Sequence, residues 1–557
     1  MGELQTNRQQ SNQAVPVKTW SEAVIVDEEQ RRKEQESCAK WFARLFVPSM
    51  VYAASYTVFT YQNRIGLGIF AWIFATALYA LYLMRTSGLR LKKGSGFLLA
   101  LMGLLGISTL LTANRWLIFC NKCGFCLLLL YFLLTQTKNS DGWSILEMLK
   151  SMAFAVFGAI GKVWTPFAEG YSWIYTHIQK QGGRHDDEQV KKQHMALLGI
   201  IITIPVLLFL GSLLMSADAV FKNMMGYFTF TWVPEIHVDV FGICCSFLFG
   251  LLASYCGMHY ILESSGERVE AAQTKYPAMI AQIVISSVLV LYVWFCLVQI
   301  IYLFGGFGTL PKGMTYAQYA RAGFFQLLFV CILNVFLVLS VKRFFEDVSY
   351  LRYVLLGICL CSYVMTASSA YRMILYVQAY HLTVLRVVVL VALGTIAVLL
   401  AGVAASVFNE KFRILPYFVT VISIVYTLFS FSNAERFVVQ YDLAHMTEDN
   451  ADGIFEYMSQ LSLDALPEAI SLLEQEDDGY AKEVCEKLQI TCQACDVQPG
   501  EQLFDYLRPD DETYGWFVRW LGYNRKLLSD DSLMSWNLSS WHAKAALQGF
   551  MKHLRTA

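Results

Sequence analysis

Charge is what this chain has least of. Of its 557 residues, 16% are Asp, Glu, Lys or Arg, against 56% hydrophobic, and the formal net charge is -1. Soluble globular chains carry about 25% charged residues, so the deficit excludes an ordinary water-soluble globule and points to lipid contact. A balance this close to zero offers no general attraction for nucleic acid; any electrostatics that matter lie in where the charges sit. The chain also lacks a G-x-x-x-x-G-K-[ST] loop, the kinase motif set and a G-x-S-x-G elbow. That removes ATP-driven and common hydrolase chemistry. No secretory signal opens it. Met1 to Lys40 is polar, with the run E-E-Q-R-R-K-E-Q-E from Glu28 to Glu36 and no apolar core, which suits a solvated tail.

What is present is a succession of apolar runs of about 20 residues, the length that crosses a bilayer. About eleven are expected: Phe42–Tyr61, Ile65–Met84, Phe97–Ala113, Trp116–Thr135, Met195–Met215, Val238–Leu262, Ala278–Phe304, Phe324–Val341, Leu351–Tyr371, Thr383–Phe408 and Ile414–Phe431. The expected fold is all-α, a polytopic transmembrane helical bundle followed by a small extramembrane helical domain. Its expected divisions are a polar cytoplasmic tail (1–41), a four-span bundle (42–135), a cytoplasmic or interfacial aromatic-rich segment (136–194), a seven-span core (195–432) and a helical extracytoplasmic domain (433–557). The last of these has ordinary soluble composition. In it Asp452 and Asp464 stand at cap positions ahead of amphipathic runs.

Lys and Arg gather in alternate connections, as at Arg90, Lys92 and Lys93, at Lys342 and Arg343, and at Lys411 and Arg413. Such a bias marks cytoplasmic loops. With an odd number of spans it sets the amino end inside and the carboxyl end outside the inner membrane. Between Ile145 and Ile178 the chain is apolar and aromatic but broken by Lys150, Lys162, Pro166 and Glu169. An interfacial segment and a further span are both open there.

Candidate site residues fall in three groups. The stretch A-Y-R-M-I-L-Y-V-Q-A-Y-H-L-T-V-L-R from Ala370 places Arg372, Tyr376, Tyr380 and Arg386 at the outer ends of two spans, and Arg321 enters the span before them. Guanidinium and phenol groups together suit an anionic ligand, such as a lipid headgroup or an envelope component. The same residue types also anchor helices at the headgroup level. Gln299, Gln326 and Asn334 lie inside spans, where polar side chains bond to neighbouring helices. Cys485, Cys492 and Cys495 cluster in the last domain, either as a structural disulfide or as free thiols. Cys120, Cys123 and Cys126 read as small buried apolar residues within a span, because no complete metal-ligand set accompanies them. No cofactor or metal is implied.

The anchor stretch, with T-Y-A-Q-Y-A-R-A-G-F-F-Q-L from Thr315, N-A-E-R-F-V-V-Q-Y-D-L from Asn433 and S-W-N-L-S-S-W from Ser535, resembles the domain-of-unknown-function 4173 family of bacterial membrane proteins, related to the 4153 family. The resemblance runs from about Ala43 to the end and implies a polytopic membrane protein with no established activity. Where that family's pattern has Gly before Leu-Thr, this chain has His381. The expected role is binding, sensing or assembly in the bacterial cell envelope; whether the chain is also an enzyme is left open, with the balance against it. A permease for a small molecule or lipid is the alternative, and a transferase acting on a lipid-linked substrate comes third.

Overall fold

The computed structural model describes residues 20–63, 65–139, 142–181, 240–265, 275–301, 324–446, 451–475 and 532–556, with isolated residues at 199, 203, 207, 520 and 524. Among these the chain is helical, with no strand and a lone bridge between Tyr276 and Phe345. The helices are α1 (Trp20–Thr60), α2 (Leu67–Thr86), α3 (Ser95–Leu111), α4 (Arg115–Thr137), α5 (Ile145–Gly161), α6 (Thr165–Gln181), α7 (Val240–Glu263) and α8 (Ala278–Gln299). There follow α9 (Phe324–Phe344), α10 (Ser349–Tyr380), α11 (Val384–Phe408), α12 (Ile414–Phe431), α13 (Ala434–Ala444), α14 (Ala451–Met458), α15 (Leu466–Gln475) and α16 (Leu538–Thr556).

Eight of them, α2, α4 and α7 to α12, are long and apolar enough to cross a membrane. The protein is therefore an all-α multi-pass membrane protein. Helix α3 is apolar but 17 residues long, and α1 carries the polar approach and the first apolar run in one 41-residue helix. Of the run Met195–Met215 only residues 199, 203 and 207 are described. The aromatic interval forms two 17-residue helices, α5 and α6, separated at Lys162–Trp164. Neither is among the helices able to cross. Helix α10 continues well past the expected end at Tyr371, so the anchor stretch is helical as far as Tyr380. His381 then takes φ 162 and ψ 171, extended backbone that any residue adopts, and Thr383 caps α11 by accepting from Arg386 N.

The chain divides into two compact units. The first comprises residues up to 57, 79–87 and 153–264. Here α6 packs on α7, and Tyr79 bonds to Ser49 Oγ at 2.8 Å and to the Ser254 carbonyl at 3.2 Å.

In the second unit α10 packs on α8, α9 and α11, and α12 packs on α3 and α11. Its core centres on Ile358, Cys359, Val338, Leu400 and Val403, all about fully buried. Lipid tails are as apolar as these side chains, so burial alone does not drive helices together in a bilayer. Close approach and polar bonds do. A Cβ on Gly357 would lie 2.9 Å from Leu289 Cδ1, which is the close approach of α8 and α10. Asn334 accepts from Tyr292 OH at 2.8 Å and donates to Ser362 Oγ at 2.9 Å, tying α9 to α8 and α10. Asn121 does the same for α4: it donates to Ser108 of α3 and accepts from Tyr426 and Ser430 of α12, at 2.6–3.0 Å.

Within this unit the turns sort to two ends. One end carries the charge: Lys92 Nζ donates to the Lys138 carbonyl, Arg343 pairs with Glu147, and Arg352 pairs with Asp347 and Glu410. The other end holds the α3–α4 and α10–α11 turns, and there α13 to α16 pack.

Candidate functional site

Two turns and a set of carboxylates make that second end. Helix α13 starts after Asn433, which takes the left-handed conformation that Asn tolerates (φ 47). Its buried face is Ala434, Glu435, Val438, Val439 and Asp442, the i, i+3, i+4, i+7 spacing of an amphipathic helix. Glu435 and Asp442 sit at either end of that apolar stripe, two turns apart.

Glu435 receives Asn114 Nδ2 at 2.6 Å and Ser462 N at 2.9 Å, and Ser462 Oγ also donates to it. Asp464 receives Ala113 N at 2.6 Å, Ser539 Oγ at 2.5 Å and Thr112 Oγ1. Both carboxyls are buried. Burial pushes Glu435 up to about 7, helped by the neighbouring Asp464 charge, against the pull of its Ser462 and Asn114 donors. Burial likewise raises Asp464. Asp464 was expected to cap a helix. Instead Ser462 caps the short 3-10 turn Leu463–Ala465, and the Asp464 side chain is taken up by the α3–α4 turn.

At the α10–α11 turn, Asp442 accepts from Leu382 N at 2.6 Å and Tyr457 OH accepts from Val384 N at 2.8 Å. The His381 and Tyr457 rings lie 5.8 Å apart, and Val377, Leu382 and Val438 close the apolar contact beneath. Burial raises Asp442 to about 6, and the Arg386 charge opposes this. Burial lowers His381, with Arg386 adding to the effect. A third attachment lies at Leu67 N, which donates to the Trp536 carbonyl at 2.9 Å.

The rim residues divide. Arg386 stacks over the Tyr376 ring at 4.2 Å and donates to the His381 carbonyl, and Tyr380 lies 5.1 Å from Tyr376. These three come together beside the α10–α11 turn. Arg372 does not join them at the surface. It is buried, with its guanidinium 3.1 Å from Gln299 Oε1, which also accepts from Ser368 at 2.7 Å. Gln299 and Asn334 are thus interhelical bonding groups, whereas Gln326 is exposed on α9. Arg321, Cys485, Cys492 and Cys495 lie outside the described residues. Cys120, Cys123 and Cys126 are exposed, not buried: Ile118, Asn121 and Phe125 take the inward face of α4. Among the described residues no group of three or more His, Cys, Asp or Glu side chains could hold a metal ion.

Residues 98–472 match a domain of unknown function, DUF4153. The chain belongs to that family. The matched stretch begins in α3 and ends in α15, so it takes in the α3–α4 turn as well as Glu435, Asp442 and Asp464. The match is to the 4153 family and not to the related 4173 family that the motifs suggested. No curated protein and no solved structure matches this chain.

Proposed function

We propose that this DUF4153 protein is a binding, sensing or assembly component of the bacterial cell envelope, in which α13 to α16 cap one end of a membrane bundle. The carrying observation is the attachment itself. Two buried carboxyls hold the α3–α4 turn, and a third with a tyrosine holds the α10–α11 turn. The mid-span amides Asn121, Gln299 and Asn334, which a permease could use to line a polar path, are engaged with neighbouring helices instead.

The basic residues Lys92, Lys138, Lys342, Arg343 and Lys411 stand at the end opposite the cap. By the positive-inside bias this supports a cytoplasmic amino end, an inner-membrane location and an extracytoplasmic cap. The rim of Tyr376, Tyr380 and Arg386, beside that cap, is where an anionic lipid headgroup or envelope component would bind. The divisions at residues 41, 135, 194 and 432 belong to the same reading, with α5 and α6 lying at the interface.

Topology is tested in intact cells. After reduction, an impermeant maleimide should label Cys492 or Cys495, identified by peptide mass spectrometry. Labelling only after lysis would place the cap inside. The role is tested by deleting the chain and profiling lipids and envelope composition, then complementing with wild type or Arg386→Ala at equal abundance. Arg386→Ala should fail to restore the profile; full restoration removes the rim from the function.

A further inference from the structure

The first unit holds its own ionisable groups, and no role assigned so far uses them. Glu169 of α6 is buried, with Oε1 2.7 Å from His259 Nε2 of α7, while Tyr255 OH donates to Oε2. His259 Nδ1 lies 3.4 Å from Lys162 Nζ in the α5–α6 connection, and Lys162 pairs with Glu263. Side-chain exposure drops along this path from 51% at Glu263 and 26% at Lys162 to 4% at His259 and 5% at Glu169. Tyr255, at the end, is fully buried. A continuous line of hydrogen bonds therefore runs from the accessible end of α7 to a closed interior.

The proton positions follow from chemistry. An ammonium only donates, so His259 Nδ1 accepts from Lys162 and the ring proton sits on Nε2, donated to Glu169. In that state Lys162 carries one positive charge, Glu169 and Glu263 one negative charge each, and His259 none. The group is one proton short of neutrality. A buried carboxylate held by neutral donors is costly, and further described groups come from α1, α2 and α7. From α1 come the Trp41 ring, 5.0 Å from His259, and the Cys38 thiol, on which both Glu169 and Glu34 act, while Arg44 lies over Trp41. Helix α7 adds Cys256, which donates to the Lys162 carbonyl, and α2 brings Tyr79 towards Tyr255.

We propose that Glu169 and His259 form a buried proton-binding site, loaded from water by way of Glu263 and Lys162. The arriving proton bonds to His259 Nδ1 as Lys162 turns wholly to Glu263. The Nε2–H bond breaks, its electron pair stays on nitrogen, and that proton bonds to Glu169 Oε1. The product is a neutral imidazole of the other tautomer facing a neutral carboxylic acid, and the group as a whole is neutral.

The test is infrared difference spectroscopy of the full chain in lipid nanodiscs, stepped between alkaline and acid pH, with E169Q, E263Q and Y255F beside wild type. Wild type should gain a carboxylic acid band on acidification that disappears in E169Q and persists in E263Q. Cap carboxyls add bands that remain in every variant. Y255F, which keeps the charge and drops one donor, should shift the Glu169 band. A spectrum of E169Q identical to wild type overturns the site. Should E169Q fail to fold, Y255F decides, and an unshifted acid band there also overturns it.

Discussion

Replacing Glu435 by Gln should flatten the pH dependence of the cap. In the docked cap Glu435 titrates near 7, against 4.5 for the free carboxyl. A group whose folded value is raised stabilises fully below its free value and loses that contribution as pH climbs through the folded value. Cap attachment should thus be firmest in acid and weaken between pH 4.5 and about 7. Asp442 acts in the same direction between 3.8 and about 6. At about 1.4 kcal/mol per pH unit, the Glu435 contribution is on the order of 3 kcal/mol. Gln cannot ionise, so Glu435→Gln removes that slope. It also loses a bond. Asn114 Oδ1 is already committed to Leu117 N at 3.0 Å, so Asn114 presents only its amide donor, which now competes with Ser462 for one carbonyl oxygen. That loss is worth about 1–2 kcal/mol. The variant cap should open more easily than wild type at pH 5, by about 1 kcal/mol, and less easily at pH 8, by a similar amount. Amide hydrogen exchange across Ser462–Ser471 in nanodiscs, corrected for intrinsic rates, reads this local opening. A variant with the wild-type slope, or wild-type protection that rises with pH, refutes the argument.

Gly66 takes φ +78, and a Cβ there would run into the Trp536 carbonyl oxygen, which is backbone and cannot swing away. Gly66→Ala should release the 533–536 segment and speed proteolysis of the carboxyl end. Gly88→Ala serves as its control, since Gly88 shares a positive φ but has nothing within 4 Å and should cost only about 1 kcal/mol. Asn334→Leu should lower the thermal midpoint in detergent by the equivalent of about 1–2 kcal/mol, and Tyr292→Phe by less. An unchanged midpoint in Asn334→Leu would mean the α8–α9–α10 bonds contribute nothing.

The spans were readable because bilayer thickness sets a run length, and run length is a local property of the chain. Helices α2, α4 and α7 to α12 follow from it directly. Asn334 was also readable, since an amide in mid-span has to find a partner and helices are the only neighbours. Arg372 was not. It stands one turn from Tyr376 on the same helix, and nothing local says that one points to a surface while the other reaches Gln299, 73 residues earlier. Cys120, Cys123 and Cys126 show the same limit. Their spacing was plain, but which face of α4 they share depended on Asn121 finding α3 and α12 and on Phe125 finding Trp72 of α2.

The carboxyls make the point sharpest. In N-A-E-R-F-V-V-Q-Y-D-L, Glu435 and Asp442 stand seven residues apart with Val438 and Val439 between them. That is a helical face flanked by two acids, a visible signal that these were buried partners and not solvated charges. Asp464, two residues after a serine, mimics a helix cap, and only the docking of the α3–α4 turn separates the two roles. Glu169 looked like an interruption of an apolar aromatic segment. It is an interruption only along the chain; across space it meets His259, 90 residues later. Polar residues that break an amphipathic membrane segment are therefore best searched for opposite-facing partners at the ends of distant spans, because lipid gives an unpaired carboxylate no other way to be accommodated.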